Sequence, residues 1–194
     1  MLGKERLHNP LWLGMPITAV ALALAACSGS DPTPKAGGPT TTAAATPTVA
    51  ACPEPGVMIR QGTVEAAMGL RVMGLEMVNC GDRAYTVHGY PDLRVLDAEN
   101  RPINVRVSRG SAEISRIETF EAPPEQVELR PGETARAMIV WRNTVTDGTV
   151  PAARGARLDI APVAGTARQT VALDEGGIDL GTTGRLGTSP WLRD

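Results

Sequence analysis

Aromatic residues are scarce in this sequence, at 3% of 194 positions, and this scarcity limits how a core can be built. Apolar residues still make up 42% of the chain, which is enough for one ordinary domain with appended segments. The core must therefore rest on valine, leucine, isoleucine, methionine and alanine. Lysine is scarce too, since Lys4 and Lys35 are the only two, and the net charge is −2. Without the clustered basic residues that nucleic acid requires, we expect no nucleic-acid partner.

The sequence also lacks an apolar run of about 20 residues, the length that crosses a bilayer comfortably. Its longest apolar stretch, residues 11–26, contains Pro16 and follows the positively charged Lys4 and Arg6. This length and these flanks are typical of a secretory signal peptide. We therefore predict a lipoprotein signal peptide over residues 1–26, with a retained transmembrane anchor as the alternative.

The end of this stretch resembles a bacterial lipobox, because Leu24, Ala25 and Ala26 precede Cys27. The Cys27 thiol would accept a diacylglyceryl group as a thioether, and the small alanines let a membrane protease reach the preceding bond. Two acyl chains give stable membrane attachment, whereas one gives marginal binding. We predict lipidation of Cys27, which anchors the protein to the outer face of the cell membrane. Ordinary secretory cleavage at Ala23-Leu24-Ala25, with Cys27 incidental, is the alternative.

Residues 27–51 are predicted to be the lipidated cysteine and a disordered linker rich in threonine, proline and alanine. Such a composition cannot form a packed core. At about 3 Å per residue at most, a Pro-containing segment would hold the following domain some tens of ångströms from the membrane. The threonines and prolines are compatible either with O-linked sugar or with a bare spacer.

From Cys52 onward, apolar and polar residues alternate with a period of two, which is typical of half-buried strands. Turn-forming residues separate these runs at 79–82, 89–91, 97–102, 130–132 and 146–148. No helical stretch of ten residues follows Cys52. The pattern predicts an all-β, immunoglobulin-like antiparallel β-sandwich over residues 52–194. The residues expected to face inward are Met73, Leu75, Met77, Leu93, Val95, Ile103, Val105, Val107, Val127, Leu129, Ala135, Ala137, Ile139, Trp141, Leu158 and Ile160.

Two cysteines, Cys52 and Cys80, are left once Cys27 is lipidated. In an exported protein such a pair is most simply a disulfide, and it would join the first strand to the turn after the second. Closing a loop of this size is worth roughly 3.5 kcal/mol in the chain-entropy model. Cys-x-x-Cys spacing and partner histidines are absent from the sequence, which argues against a redox or metal pair.

Candidate catalytic and metal-binding residues are few, and His88 is the sole histidine after Cys27. A Ser-His-Asp hydrolase would have to use His88, yet the sequence has no Gly-x-Ser-x-Gly elbow. Residues 97–100 lack the glycine and the distal glutamate of a calcium loop, which favours a hairpin turn. Asp174, Glu175 and Asp179 are interpreted as a solvated acidic turn. With no phosphate-binding glycine loop and no zinc spacing, we predict no cofactor, no metal and no catalytic residue.

The aromatic residues and one long loop complete the candidates. Trp141 has inward parity and is expected in the core. The Tyr90 hydroxyl is expected to anchor a turn, as in a tyrosine corner. Trp191 either packs back on the sandwich or docks a partner. Residues 108–123 are predicted to form a long irregular loop. Because recognition residues concentrate on loops, this loop is also the predicted recognition surface.

Several short motifs resemble a known family. They occur at residues 79–91, which contain Gly89-Tyr90-Pro91, and at 129–133, 140–145, 147–148, 179–187 and 191–192. Together, over about residues 52–192, they resemble the actinobacterial exported proteins of domain of unknown function 4232. This resemblance implies a secreted or lipid-anchored β-sandwich-like domain without established activity, and it transfers no catalytic residue. Many members carry the second cysteine just before the Gly-Tyr-Pro motif, where this chain has Tyr85-Thr86.

These observations lead to one main hypothesis about function. The chain is expected to be a membrane-anchored extracytoplasmic lipoprotein and a non-enzymatic binding or interaction module of the cell envelope, with a protein or a glycan as ligand. One alternative is an envelope hydrolase that uses His88. The other is a purely structural lipoprotein associated with the cell wall.

Overall fold

The computed structural model describes residues 51–174 and 176–194, so the predictions for residues 1–50, Cys27 among them, and for Glu175 lie outside the described residues. The described chain consists mainly of strands, with a short 3₁₀ helix at Glu118–Phe120. Within it, no helix has the length and apolar character needed to cross a membrane. The strands are β1 (Val57–Ala67), β2 (Leu70–Asn79), β3 (Tyr85–His88), β4 (Asp92–Leu96), β5 (Arg106–Arg109), β6 (Gln126–Leu129), β7 (Thr134–Arg142), β8 (Ala153–Gly155), β9 (Arg157–Ala161), β10 (Gln169–Ala172), β11 (Ile178–Gly181), β12 (Arg185–Thr188) and β13 (Leu192–Arg193).

The largest sheet has the strand order β1-β2-β7-β12-β5, and β13 also pairs with β7. A second sheet has the order β10-β9-β4, and two strand pairs, β11-β8 and β3-β6, complete the described topology. The pairings are antiparallel except that of β12 with β5, which is parallel. Apolar side chains from both sheets form one core cluster. The predicted all-β, antiparallel sandwich is therefore confirmed.

The predicted alternation of strands β2 and β7 is confirmed residue by residue. Every inward residue predicted on these two strands is at most 1% exposed and belongs to the core cluster. Trp141, the largest of them, lies in the core as expected and donates its indole N–H to the Asp179 carbonyl at 2.9 Å. The alternation of apolar residues therefore identified the buried face of both strands.

The segment at residues 103–107 differs from the predicted strand. Ile103, Val105 and Val107 are partly buried and pack against the core, but β5 begins only at Arg106. The preceding residues change partners, since the Ile103 N–H donates to Val95 and the Arg106 N–H donates to Gly184. Alternation predicted the buried side of this segment but not its hydrogen-bond partners.

Strand β1 was not identified by the alternation, because polar residues and Gly62 interrupt its second half. A register shift between Gln61 and Val64 marks a bulge in its pairing with β2. The outer edge of its first half is covered by the Gln169 side chain, which accepts the Ile59 N–H at 3.0 Å and donates to the Val57 carbonyl at 2.8 Å. This amide joins β1 to β10 and so connects the two sheets.

The disulfide between Cys52 and Cys80 is confirmed, with a Cα–Cα distance of 5.6 Å. Cys52 precedes β1 and Cys80 directly follows β2, so the bond closes one end of the β1–β2 hairpin. The Cys80 and Gly81 N–H groups both donate to the Gly56 carbonyl, at 3.1 and 3.0 Å. The covalent bond is thus reinforced by backbone hydrogen bonds at the same place.

Candidate functional site

An open cleft of about 440 Å³ lies beside the turn between β3 and β4. Three segments form most of its lining: residues 88–93 at the turn, 107–109 of β5 and 163–164 after β9. The cleft therefore brings together His88, Tyr90 and the first residues of the loop predicted for recognition. We treat this cleft as the candidate functional site, because concave sites with a few polar groups are where ligands bind.

The most distinctive contact in the cleft is between Arg109 and Tyr90. The Arg109 guanidinium lies 5.2 Å from the centroid of the Tyr90 ring, within the range of a cation–π interaction. Among the described residues, the Tyr90 hydroxyl makes no hydrogen bond, so the predicted tyrosine-corner role is replaced by this cation–π contact. Gly89, at φ +117°, turns the chain so that Tyr90 can lie against β5.

Trp191 fixes the frame of the cleft. It is fully buried, its backbone N–H donates to the Gly89 carbonyl at 2.9 Å, and its indole N–H donates to the Pro162 carbonyl at 2.6 Å. These two bonds hold the Gly89 turn and the chain just before Val163, and both Gly89 and Val163 line the cleft. Of the two roles left open by the sequence, Trp191 therefore packs back on the sandwich.

A partly buried group of charged side chains lies next to the cleft, around Arg168. Its guanidinium donates to the Asp92 carboxylate and, at 2.7 Å, to the Asp159 carboxylate, as well as to both backbone carbonyls of these residues. These contacts join β4 to β9 just before β10 begins. Since the Asp92 carboxylate is paired in this way, it leaves the charge of Arg109 uncompensated within the described cleft.

His88, Ser108 and Asp92 all line this cleft, which is the set a Ser-His-Asp hydrolase would need. The Asp92 carboxylate binds Arg168, the Ser108 hydroxyl donates to the Leu186 carbonyl at 3.4 Å, and the His88 side chain is exposed. No hydrogen bond joins any two of these side chains in the described structure. A relay through His88 is therefore not assembled here.

The loop predicted over residues 108–123 is only partly irregular. Ser108 and Arg109 belong to β5, and residues 118–120 form the 3₁₀ helix, with Phe120 buried. Ser111, also buried, donates both its N–H and its hydroxyl to the Glu121 carboxylate at 2.9 Å. These hydrogen bonds lower the pKa of Glu121. The loop is thus fastened internally, and of its residues Ser108 and Arg109 reach the cleft.

The acidic residues considered as metal ligands each bind different partners within the domain. The Asp97 carboxylate accepts the Arg101 N–H, the Arg101 side chain and the Glu99 N–H. These bonds lower the pKa of Asp97 and close the predicted hairpin turn. The Asp174 carboxylate accepts the Gln61 amide, whereas Asp179 pairs with Arg154 at 3.1 Å. Among the described residues, no three His, Cys, Asp or Glu side chains are grouped so that they could hold a metal ion.

The family model of a domain of unknown function (DUF4232) matches residues 52–192. The chain belongs to this family. The match confirms the family that the short motifs predicted and covers the disulfide, the cleft and Trp191. No curated protein and no solved structure matches the chain.

Sequence reasoning found Tyr90 and His88 but missed Arg109 and Arg168. Arg109 reaches Tyr90 because β5 pairs with β12 in parallel, with Arg109 opposite Thr188. The alternation of apolar residues does not predict that pairing. Arg168 precedes β10 by one residue, and its position beside Asp92 depends on the order of strands in the second sheet. Each arginine appears in the sequence as an ordinary exposed charge.

Proposed function

We propose that this chain is an exported, lipid-anchored actinobacterial member of its family, and that its domain is a non-enzymatic binding module of the cell envelope. The observation that carries the binding role is the cleft beside Gly89, in which the Arg109 guanidinium lies over the Tyr90 ring and is unpaired with any described carboxylate. Two neighbouring segments of its lining, at Gly89 and beside Val163, are held by the buried Trp191. An open site held in this way, with an available charge, suits binding better than it suits acid–base chemistry.

Export is supported by the disulfide and by the lipobox-like sequence before Cys27. Cys52 and Cys80 are both exposed, and an exposed disulfide persists in oxidising compartments outside the cytoplasm. Lipid on Cys27 would keep the domain at the outer face of the membrane. The linker, residues 28–51, would set its distance from that surface.

The anchor is tested by replacing Cys27 with alanine in cells fed labelled palmitate, with Ser28→Ala as the matched control. We expect the wild type and Ser28→Ala to carry label and to stay in the membrane fraction. Cys27→Ala should lose the label and either leave the membrane or accumulate as the unprocessed precursor. An unlabelled wild type, or a labelled Cys27→Ala, would contradict the anchor.

The binding role is tested with immobilised protein and separated glycan and protein fractions of the cell envelope. A ligand of the cleft should be retained by the wild type and by Arg130→Gln, an arginine in the turn after β6, but lost from Arg109→Gln. Retention that does not depend on Arg109 would contradict binding in this cleft. Turnover of an envelope substrate that is abolished in His88→Ala would contradict the non-enzymatic assignment.

A further inference from the structure

We propose that the cleft receives a small oxyanion, the carboxylate or phosphate group of its ligand, on the guanidinium of Arg109. This inference deepens the proposed binding role and rests on it. It names the chemical group recognised, which the fold and the family leave open.

The position of Arg109 is set in advance of any ligand. β5 is hydrogen-bonded to β12, with Arg109 directly opposite Thr188, and the Arg109 guanidinium carbon lies over the Tyr90 ring, 5.2 Å from its centroid. A guanidinium held over a ring face keeps N–H donors free, and these can form two parallel bonds to a carboxylate or phosphate. Because the side chain is already oriented, less conformational entropy is lost on binding.

The charge of the cleft favours an anion. Asp92 is the one acidic residue in the described lining, and Arg168 binds its carboxylate. Arg168 also binds Asp159, and the Arg94 guanidinium lies 3.8 Å from the same Asp159 carboxylate, so the two aspartates are matched by two arginines. Arg109, by contrast, forms no ion pair with any carboxylate of the described residues. An incoming oxyanion would therefore meet an unpaired cation without displacing an existing partner.

The remaining polar groups of the cleft define how the anion is held. The hydroxyls of Ser108 and Thr188 donate to the carbonyls of Leu186 and Ser189, so their protons are already used. The His88 side chain lines the cleft and is exposed, which leaves its ring N–H available as a second donor. Pro91, Leu93 and Val163 supply an apolar wall. The ligand should carry its oxyanion beside an apolar or ring-shaped portion.

The competing interpretation is that Arg109 merely covers the Tyr90 ring, since stacked arginines are common on protein surfaces. The two interpretations differ in what the guanidinium does when a small anion is added. We therefore use inorganic phosphate and acetate as separate probes, which distinguish a phosphate from a carboxylate source, with chloride at matched ionic strength as the control.

The experiment is an NMR titration of the full chain, followed at the Arg109 side-chain Nε–H and at the Tyr90 amide. We expect a saturable shift with phosphate, acetate or both, and none with chloride. Arg109→Gln should weaken binding by about tenfold or more, the usual loss when a charge-assisted bond is removed. Arg109→Lys keeps the charge but loses the paired N–H donors of the guanidinium, so its affinity should lie between those of the wild type and Arg109→Gln. Arg130→Gln, which removes the same charge elsewhere, should bind like the wild type.

Unsaturable shifts, or equal weakening in Arg109→Gln and Arg130→Gln, would overturn the proposal, because only general charge attraction would remain. The amide signals of Gly89 and Trp191 report whether each variant keeps the folded frame. If neither anion binds but an envelope ligand is still lost in Arg109→Gln, the binding role stands and the oxyanion is wrong. If binding of the envelope ligand also does not depend on Arg109, both the binding role of the cleft and the oxyanion proposal fail.

Discussion

The two ends of the β1–β2 hairpin are built in opposite ways. At the first, which we call the disulfide end, Cys52 and Cys80 are bonded and the adjacent Asn79 is 1% exposed. The Asn79 amide donates to the Arg83 and Leu129 carbonyls, both at 2.8 Å, and accepts the Gly81 N–H at 3.1 Å. Every polar group of this buried side chain therefore has a partner.

At the other end, which we call the turn end, the chain reverses through Met68 and Gly69 at φ 47° and 79°. Two positive φ values are characteristic of a primed two-residue hairpin turn, which favours asparagine before glycine. Met68 is instead 99% exposed, and Val64 on the adjoining strand is 47% exposed. The ladder between the two strands continues to the pair Ala67 and Leu70, and beyond it the Asn143 N–H donates to the Gly69 carbonyl at 2.8 Å.

The difference teaches where the stability of this domain lies. With few aromatic residues for its core, the domain gains stability at the disulfide end from a covalent bond and a saturated polar side chain. The turn end instead keeps a strained methionine and exposed apolar side chains. Changes at the disulfide end should therefore cost much more than changes at the turn end, and one change at the turn end should even stabilise.

The largest effect is expected from removing the disulfide. Cys52→Ala with Cys80→Ala should lower the free energy of unfolding by about 3.5 kcal/mol, because the unfolded chain regains the entropy that the closed loop had removed. Urea unfolding measures this loss. Val64→Ala, at the turn end, is the control and should change stability by less than about 1 kcal/mol, since its side chain is half exposed. Equal losses in both variants would abolish the distinction between the ends.

A smaller loss is expected from Asn79→Ala at the same end. Its removal leaves the Leu129 carbonyl without the amide donor in a buried position, which should cost about 1–3 kcal/mol in urea unfolding. Asn104→Ala, an exposed asparagine, should stay within about 0.5 kcal/mol of the wild type. A neutral Asn79→Ala would show that the polar bonds do not contribute as described.

The turn end should respond with the opposite sign. Met68→Asn places a residue that tolerates the left-handed conformation where the turn requires it, and should raise the free energy of unfolding by about 0.5–1 kcal/mol. Thermal unfolding of the variant beside the wild type measures the gain. A destabilised Met68→Asn would mean that the methionine side chain contributes contacts that offset its strained backbone.

The smallest effect concerns Asp147, in the loop that follows β7. The hydroxyl and the N–H of Thr149 both donate to its carboxylate and lower its pKa. The stabilisation is therefore complete above the ordinary value of 3.8 and is lost as the pH falls through the lowered pKa of the folded state. Thr149→Val removes the hydroxyl, so the Asp147 pKa should rise toward 3.8 in an NMR titration of the carboxyl group. An unchanged value would show that the N–H alone sets it.

The sequence predicted the fold better than the site, for a physical reason. Burial repeats along a strand, so Met73, Leu75 and Met77 could be assigned inward without knowing their neighbours. The disulfide followed from counting the cysteines of a chain that was predicted to be exported. The cleft depends instead on residues far apart in sequence, since Arg109 meets Tyr90 and Trp191 meets Gly89 only after the strands have paired. No local sequence pattern predicts these long-range contacts.

Both the stabilising disulfide and the proposed binding role depend on the chain being located outside the cytoplasm. The most direct measurement is the intact mass of the protein extracted from its native membranes. We predict a chain that begins at Cys27, carries a diacylglyceryl group on that residue and has Cys52 and Cys80 oxidised to the disulfide. A mass that corresponds to the uncleaved chain with free thiols, or to a cleaved chain without lipid, would contradict the account.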